Sequence, residues 1–147
     1  MRLLLDALLG MLLGASGYTF YYAQGTSYLS NDPQACINCH VMRGQFDSWE
    51  KASHHALATC GDCHTPYGFY QKWLAKGVNG YNHSWAFTLR SFHDPIRIKP
   101  GNSEVLNANC LRCHRGFVRE ITAHRVIKDE ELYCVRCHDD VGHGAGR

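Results

Sequence analysis

Four copies of the pattern CxxCH account for all eight cysteines of this 147-residue chain. In each copy, two thiols separated by two residues can form thioether bonds to the vinyl groups of a haem, while the histidine that follows offers its imidazole to the iron. Disulfide-bonded or zinc-bound CxxC pairs would not require a histidine after every second cysteine. The pattern therefore predicts four covalently attached c-type haems, held by Cys36 and Cys39, Cys60 and Cys63, Cys110 and Cys113, and Cys134 and Cys137.

The spacing of the motifs divides the haem region into two parts. The first cysteines of motifs one and two are 24 residues apart, those of motifs three and four are also 24 apart, and 50 residues separate motif two from motif three. This repeat predicts two di-haem halves, at about 30–65 and 100–147, with an insert at 66–90. Motifs so closely spaced bring haems near one another, as sequential electron transfer requires.

Further axial ligands must come from outside the motifs. Low-spin electron-transfer haems commonly have two strong axial ligands, so three or four additional side chains are expected on iron. Six histidines lie outside the motifs: His54, His55, His83, His93, His124 and His143. The residues alone do not say which of these bind, and they leave the adjacent His54 and His55 equivalent.

The polypeptide that encloses these haems is short. About 125 residues remain outside the N-terminal apolar segment, or roughly thirty for each porphyrin, so the macrocycles must supply much of the buried surface. We therefore expect a mainly α fold with extensive loops and almost no sheet. The formal net charge of +2 leaves out the haem propionates and indicates no nucleic-acid partner.

The N-terminal segment predicts a membrane anchor. Residues 3–22 form an apolar stretch of twenty residues whose one charge is Asp6. A helix of that length spans ~30 Å, about the thickness of the hydrocarbon core of a lipid bilayer. The stretch ends in side chains suited to an interfacial aromatic belt, Tyr18, Phe20, Tyr21 and Tyr22. Arg2 favours an orientation with the N-terminus in the cytoplasm.

A cleaved signal peptide is the competing interpretation, with an apolar core at 3–13 and a small-residue cleavage site at 15–17. The apolar stretch is longer than most signal-peptide cores, so a retained anchor is preferred. The predicted organisation is a single transmembrane helix at 1–24 and a haem domain at 25–147. Because haem is attached to reduced thiols after export, that domain belongs in the periplasm or on the outer face of a single-membrane cell.

The insert at 66–90 mixes aromatic and cationic side chains. Its aromatic residues are Tyr67, Phe69, Tyr70, Trp73, Tyr81, Trp85 and Phe87. Together with two lysines they give a composition typical of a membrane interface. Lys76 and His83 are seven residues apart, about two helical turns, and share one face if a single helix continues through Gly77 and Gly80.

The first haem motif continues as CINCHVM, which places Met42 two residues beyond His40. The pattern CxxCHxM is much rarer than CxxCH. With this feature the chain resembles the NapC/NirT family of membrane-anchored tetrahaem quinol dehydrogenases, and within it the small subunits of cytochrome c nitrite reductases. The resemblance covers the whole chain: one N-terminal anchor, CxxCHxM at the first haem, four motifs in similar spacing, and the run NANC leading into the third motif.

The resemblance implies that Met42, and not His40, is the protein ligand of haem 1. A thioether sulfur is a recognised haem ligand and generally raises the reduction potential. The alternative is that Met42 packs against the porphyrin without binding the iron.

For haems 2 and 3 the resemblance implies ligands that cross between the halves. His143 would lie opposite His64 on haem 2, and His55 would lie opposite His114 on haem 3. His54 is the alternative to His55. Such cross-ligation would tie the two di-haem halves together.

Haem 4 takes His138 from its own motif, and the resemblance implies that a lysine of the partner reductase fills its sixth position. His93 and His124 are spare histidines and leave that assignment open. His124 lies in a segment whose sequence indicates a helix, where a solvated surface position is the preferred interpretation.

The resemblance also implies a quinol site beside haem 1. A lysine of the family and, seven residues later, an acidic or histidine side chain match Lys76 and His83, which are implied as proton acceptors. A histidine near neutrality accepts a proton better than a carboxylate of low pKa. Two alternatives stay open: His83 as an iron ligand, and Lys76 as a lysine that snorkels to the membrane interface.

The implied function is oxidation of menaquinol and transfer of the electrons to a periplasmic multihaem nitrite reductase. Nothing in the sequence supplies the distal pocket that nitrite reduction would need, so that chemistry belongs to the partner. One alternative is donation to a nitrate reductase or another periplasmic reductase. The other is a tetrahaem electron carrier without a quinol site.

Overall fold

The computed structural model describes residues 1–122 and 133–144, and within them the chain forms helices and turns without a β-strand. The α-helices are α1 (Arg2–Tyr22), α2 (Arg43–Glu50), α3 (Cys60–His64), α4 (Phe69–Thr88) and α5 (Pro100–Thr122). Short 3-10 helices span Gly25–Leu29, Pro33–Asn38, His40–Met42 and Cys134–Arg136. The prediction of a mainly α fold with extensive loops is confirmed.

Helix α1 coincides with the segment that predicts the anchor. It is long and apolar enough to cross a membrane, and its side chains are exposed along the whole helix. Just beyond it, a Cβ on Gly25 would lie 2.3 Å from the Phe20 ring, so a larger residue where the chain leaves the anchor would displace that ring. The Asn38 side chain then donates to the carbonyl of Ala23 at 2.9 Å. The end of the anchor is therefore fixed directly to the first haem motif.

Local capping signals start the helical turns that carry the first two motifs. Asp32 accepts a hydrogen bond from the backbone N–H of Gln34 at 2.9 Å, and Pro33 opens that 3-10 helix. Before α3, Thr59 and Asp62 form a capping box, with the backbone N–H and the hydroxyl of Thr59 donating to the Asp62 carboxylate at 2.9 and 2.7 Å. These hydrogen bonds from Thr59 also lower the pKa of Asp62.

Helix α4 is continuous through Gly77 and Gly80, which is the condition under which Lys76 and His83 share a face. That face packs against the Gly25–Leu29 turn and the residues after it. The opposite side of α4 is apolar and exposed. We call this side the apolar face of α4, and its members are Tyr70, Leu74, Val78, Tyr81 and Trp85, together with Leu89, the residue that caps the C-terminal end of the helix.

The side-chain core of the described residues is small. Phe46 is their one hydrophobic side chain with less than a tenth of its surface exposed, at 8%. It packs against Trp49, with 5.5 Å between the ring centres, and the Trp49 indole donates to the Ala58 carbonyl at 3.0 Å. So small a core is what we expect of a chain whose interior is completed by porphyrins.

Candidate haem and quinol sites

The haem-attachment cysteines come together in the pairs that the spacing predicts. The side chains of Cys36 and Cys60, the first cysteines of motifs one and two, lie next to each other. Those of Cys110 and Cys134, the first cysteines of motifs three and four, are also neighbours. Cys63 lies near Cys110, so the second and third motifs are close to each other as well. The four attachment sites thus form a connected series.

His64 and His143 are placed as two ligands of one metal would be. Their rings are nearly parallel, 8° apart, and their centres are 5.9 Å apart. Two imidazoles bound on opposite sides of a metal at bond lengths of about 2.0 Å would have ring centres about 6 Å apart. The donor set therefore fits a haem iron, and the structure brings together the pair predicted for haem 2.

At the third motif the ring near His114 is that of His54, the alternative to the expected His55. The ring centre of His54 lies 6.0 Å from that of His114. The predicted ligand His55 is instead exposed and packs edge-on against Trp49, with 4.9 Å between the ring centres. Side chains of consecutive residues in a tight turn point in different directions, so only one of the two histidines can face His114.

The hydrogen bonds of His54 also fit a ligand. Its Nδ1 lies 3.2 Å from the carbonyl oxygen of Val141, and a carbonyl can only accept. In the tautomer that forms this hydrogen bond, Nδ1 carries the proton and Nε2 has a free lone pair. Metal-binding histidines commonly donate their other ring N–H to a backbone carbonyl in this way.

The remaining predicted ligands differ in exposure. Met42 is half-buried and ends the His40–Met42 turn, whereas His40 is exposed. His138 and the spare His93 are both exposed. His124 lies outside the described residues.

Two asparagines of the run NANC connect three motifs, a role that sequence reasoning missed. Asn109 is 7% exposed, and its amide donates to the carbonyls of Cys63 and Thr65 at 3.0 and 2.8 Å, on either side of His64. The Asn107 side chain accepts from the backbone N–H of Cys134 at 3.0 Å. The run before motif three therefore holds motif two on one side and motif four on the other.

Lys76 is buried, with 8% of its surface exposed. Its amine donates to the carbonyl oxygen of Ser30 and, at 3.0 Å, to the side-chain oxygen of Asn31. Burial, together with the nearby Lys72, lowers the pKa of Lys76. This environment differs from that of a snorkelling lysine, whose amine would reach into water.

His83 meets the same segment of chain from two helical turns further along. Its Nδ1 lies 3.1 Å from the Tyr28 hydroxyl. The pKa of His83 is lowered by the burial of part of its ring and by the nearby Lys99 ammonium. Lys76 and His83 therefore both contact residues 28–31, which join the anchor to the first haem motif.

This cluster lies beside the first attachment site. Lys76 and Tyr28 each interact electrostatically with Cys36. The partners Tyr28, Ser30 and Asn31 were missed by sequence reasoning. The one signal for these three residues in the sequence is their position. They lie directly after the aromatic belt of the anchor and before the first haem motif, where membrane, quinol and haem would meet.

The paired attachment cysteines, the histidine pairs and the apolar N-terminal helix define a multihaem cytochrome c with a membrane anchor. The match to known proteins agrees: the model of the NapC/NirT cytochrome c family, N-terminal region, matches residues 1–146. The chain belongs to this family. Its cofactor is therefore c-type haem, and it is a single-pass membrane protein.

Two relatives are similar over most of their length. The chain is 36% identical over 144 residues to the cytochrome c-type protein NrfH of Wolinella succinogenes, covering 92% of this chain and 81% of the relative. It is 33% identical over 121 residues to the cytochrome c nitrite reductase subunit NrfH of Nitratidesulfovibrio vulgaris, covering 82% and 72%.

The fold also matches a solved structure. This is the cytochrome c nitrite reductase NrfHA complex bound to the HQNO inhibitor, with a TM-score of 0.66 and 28% identity over 98% of this chain and 91% of the matched one. The resemblance stated from the motifs is confirmed.

Proposed function

We propose that this chain is the membrane-anchored tetrahaem subunit that oxidises menaquinol and passes the electrons to a periplasmic multihaem nitrite reductase. Similarity to two NrfH proteins and to a solved NrfHA complex supports the partner. The observation that carries the quinol site is a buried lysine amine, held by two oxygens beside the first haem-attachment cysteine. The nitrite chemistry takes place in the partner, and this chain is its quinol dehydrogenase and electron-transfer subunit.

Lys76 is arranged to accept a proton. A neutral amine has two N–H bonds and one lone pair, and the oxygens of Ser30 and Asn31 accept both N–H bonds. The lone pair is then free for the proton of a quinol hydroxyl. The lowered pKa favours this neutral form, because a buried lysine loses the hydration of its charge. Once Lys76 is protonated, its third N–H can hold the oxidised product by a hydrogen bond.

His83 accepts the second proton. Oxidation of one quinol releases two protons and two electrons, and the two bases sit on one face of α4 about two turns apart. The haems supply one-electron acceptors that take the two electrons singly. The residues of this chain thus separate the protons, which leave through Lys76 and His83, from the electrons.

The proposed ligand of haem 1 follows the resemblance, and those of haems 2 and 3 follow the geometry. We assign Met42 to haem 1, and His64 with His143 to haem 2. For haem 3 we assign His114 with His54, because His54 faces His114 and has its Nδ1 held by a carbonyl.

For haem 4 we assign His138, with the sixth position filled by a lysine of the partner.

The proposed topology places the quinol site at the membrane surface. The anchor is 1–24, with its N-terminus in the cytoplasm, and the haem domain is 25–147 in the periplasm. The apolar face of α4, within the insert at 66–90, lies on the bilayer, since that face exposes aromatic side chains typical of a lipid interface. A quinol can then reach Lys76 and His83 from the lipid.

The function as a whole is tested in liposomes that contain menaquinol, this chain in its full-length haem-loaded form, and a purified periplasmic multihaem nitrite reductase. We expect nitrite to be converted to ammonium only when both proteins are present. If the haems are reduced by menaquinol but nitrite is not consumed, the partner is another reductase, such as a nitrate reductase. If menaquinol does not reduce the haems at all, the chain is an electron carrier without a quinol site.

A further inference from the structure

Tyr28 packs between the membrane anchor and the proposed quinol site. It belongs to the 3-10 helix Gly25–Leu29, and its ring lies against α4 at Gly80, where an added Cβ would be 3.5 Å from the ring. The side chain is half-buried. This packing presents the Tyr28 hydroxyl to Nδ1 of His83 at 3.1 Å, with 6.0 Å between the two ring centres.

The chemistry of this contact depends on which atom holds the proton. A phenol oxygen can donate or accept, and a neutral imidazole carries its proton on one nitrogen only. When Nδ1–H donates to the Tyr28 oxygen, Nε2 has a free lone pair and can take a proton from a quinol. When Nδ1 instead accepts a hydrogen bond from the Tyr28 hydroxyl, Nε2 carries the proton. Nε2 then cannot accept a proton from the quinol.

The charges near His83 make its hydrogen bond to Tyr28 important. Lys99 lies near enough to lower the pKa of His83, so its charge disfavours a positive imidazole. Lys76 lies two turns earlier on the same face of α4, and its charge acts in the same direction once it has accepted a proton. The Nδ1–H···O hydrogen bond to Tyr28 acts in the other direction, because it strengthens when the imidazole becomes charged.

We propose that Tyr28 is a positioning residue for quinol oxidation: its hydroxyl holds His83 in the tautomer with the proton on Nδ1 and so keeps Nε2 available as the proton acceptor. This inference rests on the proposed quinol site. In the step itself, the quinol O–H bond breaks, an N–H bond forms at Nε2, and Nδ1 keeps its proton and its bond to Tyr28. The second quinol proton goes to Lys76, and the two electrons leave one at a time to the one-electron acceptors that bound haem would supply.

The test compares Tyr28→Phe with wild type in the full-length, haem-loaded protein. The substitution removes the hydroxyl and keeps the ring that packs on Gly80. Tyr67→Phe is the matched control, because Tyr67 lies against the Arg112 guanidinium at 4.8 Å, away from the quinol site. Haem reduction is followed anaerobically by stopped flow, with menadiol as the quinol and dithionite as a donor that needs no quinol site.

We expect Tyr28→Phe to slow reduction by menadiol roughly tenfold at saturating menadiol, since a hydrogen bond to a group that becomes charged is lost. The acid limb of the pH profile should shift to lower pH, because loss of the acceptor lowers the pKa of His83. Dithionite should reduce wild type and variant equally fast. In a His83→Ala background, Tyr28→Phe should cause no further loss, because Tyr28 acts through His83.

A Tyr28→Phe protein with the wild-type rate and the wild-type pH profile would overturn the inference. A Tyr28→Phe protein that is slowed equally with dithionite would also overturn the inference, since that result would indicate a structural role for the Tyr28 hydroxyl. If wild-type protein is itself not reduced by menadiol, the proposed function fails first and the inference fails with it. The three results are distinguishable because the wild-type rate, the variant rate and the dithionite rate are measured separately.

Discussion

Two regions of the molecule use hydrogen bonds in different ways. In the proposed quinol region, formed by residues 28–31 with Lys76 and His83, hydrogen bonds hold two side chains that can titrate. In the haem-packing region, formed by Asn107 and Asn109 with motifs two and four, amides that do not titrate hold the backbone. The proposed proton acceptors thus contact the segment that follows the anchor. The two asparagines instead fix motifs two, three and four relative to one another.

The largest effect outside the quinol region is expected at haem 3. His54→Ala should remove an axial ligand and convert one of the low-spin haems to high spin, because His54 faces His114 with its Nδ1 held by Val141. His55→Ala is the matched control and should leave the haem spectrum unchanged. Electron paramagnetic resonance of the oxidised proteins measures both. The reverse pattern would return haem 3 to the assignment expected from the sequence.

Asn109→Ala probes the haem-packing region by itself. The substitution leaves the carbonyls of Cys63 and Thr65 without their amide donor. We expect the free energy of unfolding to fall by about 1–3 kcal/mol, measured by denaturant titration, while the rate of haem reduction by quinol changes little. Asn102→Ala, at an exposed position of the same helix, is the control. A variant of normal stability that reacts slowly with quinol would show that the two regions are not separate.

The smallest effect is expected from Lys99→Ala. Lys99 lowers the pKa of His83 by charge, so its removal raises that pKa. Because His83 must be neutral to accept a proton, the acid limb of quinol oxidation should then move to higher pH, in the direction opposite to Tyr28→Phe. The plateau rate should change less than about fivefold, since exposed charges interact weakly. Stopped-flow rates across the histidine titration range decide the matter, and a shift to lower pH would contradict the assignment of His83 as the base.

The sequence predicts the attachment chemistry and the framework because these depend on local patterns. The four CxxCH motifs, the apolar helix α1 and the shared face of Lys76 and His83 follow from spacing alone. The partners of these groups do not, because they are brought together from distant parts of the chain. Tyr28 is 55 residues from His83, and Asn31 is 45 residues from Lys76. Neither hydrophobic periodicity nor motif spacing predicts contacts between residues so far apart in the sequence.

The choice between His54 and His55 as the ligand of haem 3 shows a second limit of prediction from the sequence. His54 and His55 are equivalent in the sequence, and the direction of each side chain is decided by the turn that carries them and by Trp49, which packs against His55. The asparagines of the run NANC show a third limit of prediction from the sequence. They were recognised as part of a motif, yet their role requires knowing that α5 lies between motif two and motif four.

The proposed quinol oxidation depends most on Lys76 as the proton acceptor beside the first haem. The direct measurement is anaerobic haem reduction by a menaquinol analogue in full-length wild type, in Lys76→Ala and in Lys51→Ala, a control at an exposed lysine. We expect the rate in Lys76→Ala to fall at least about 100-fold, with four haems retained and dithionite reduction unchanged, while Lys51→Ala behaves as wild type. Equal rates in all three proteins would contradict a quinol site at this position.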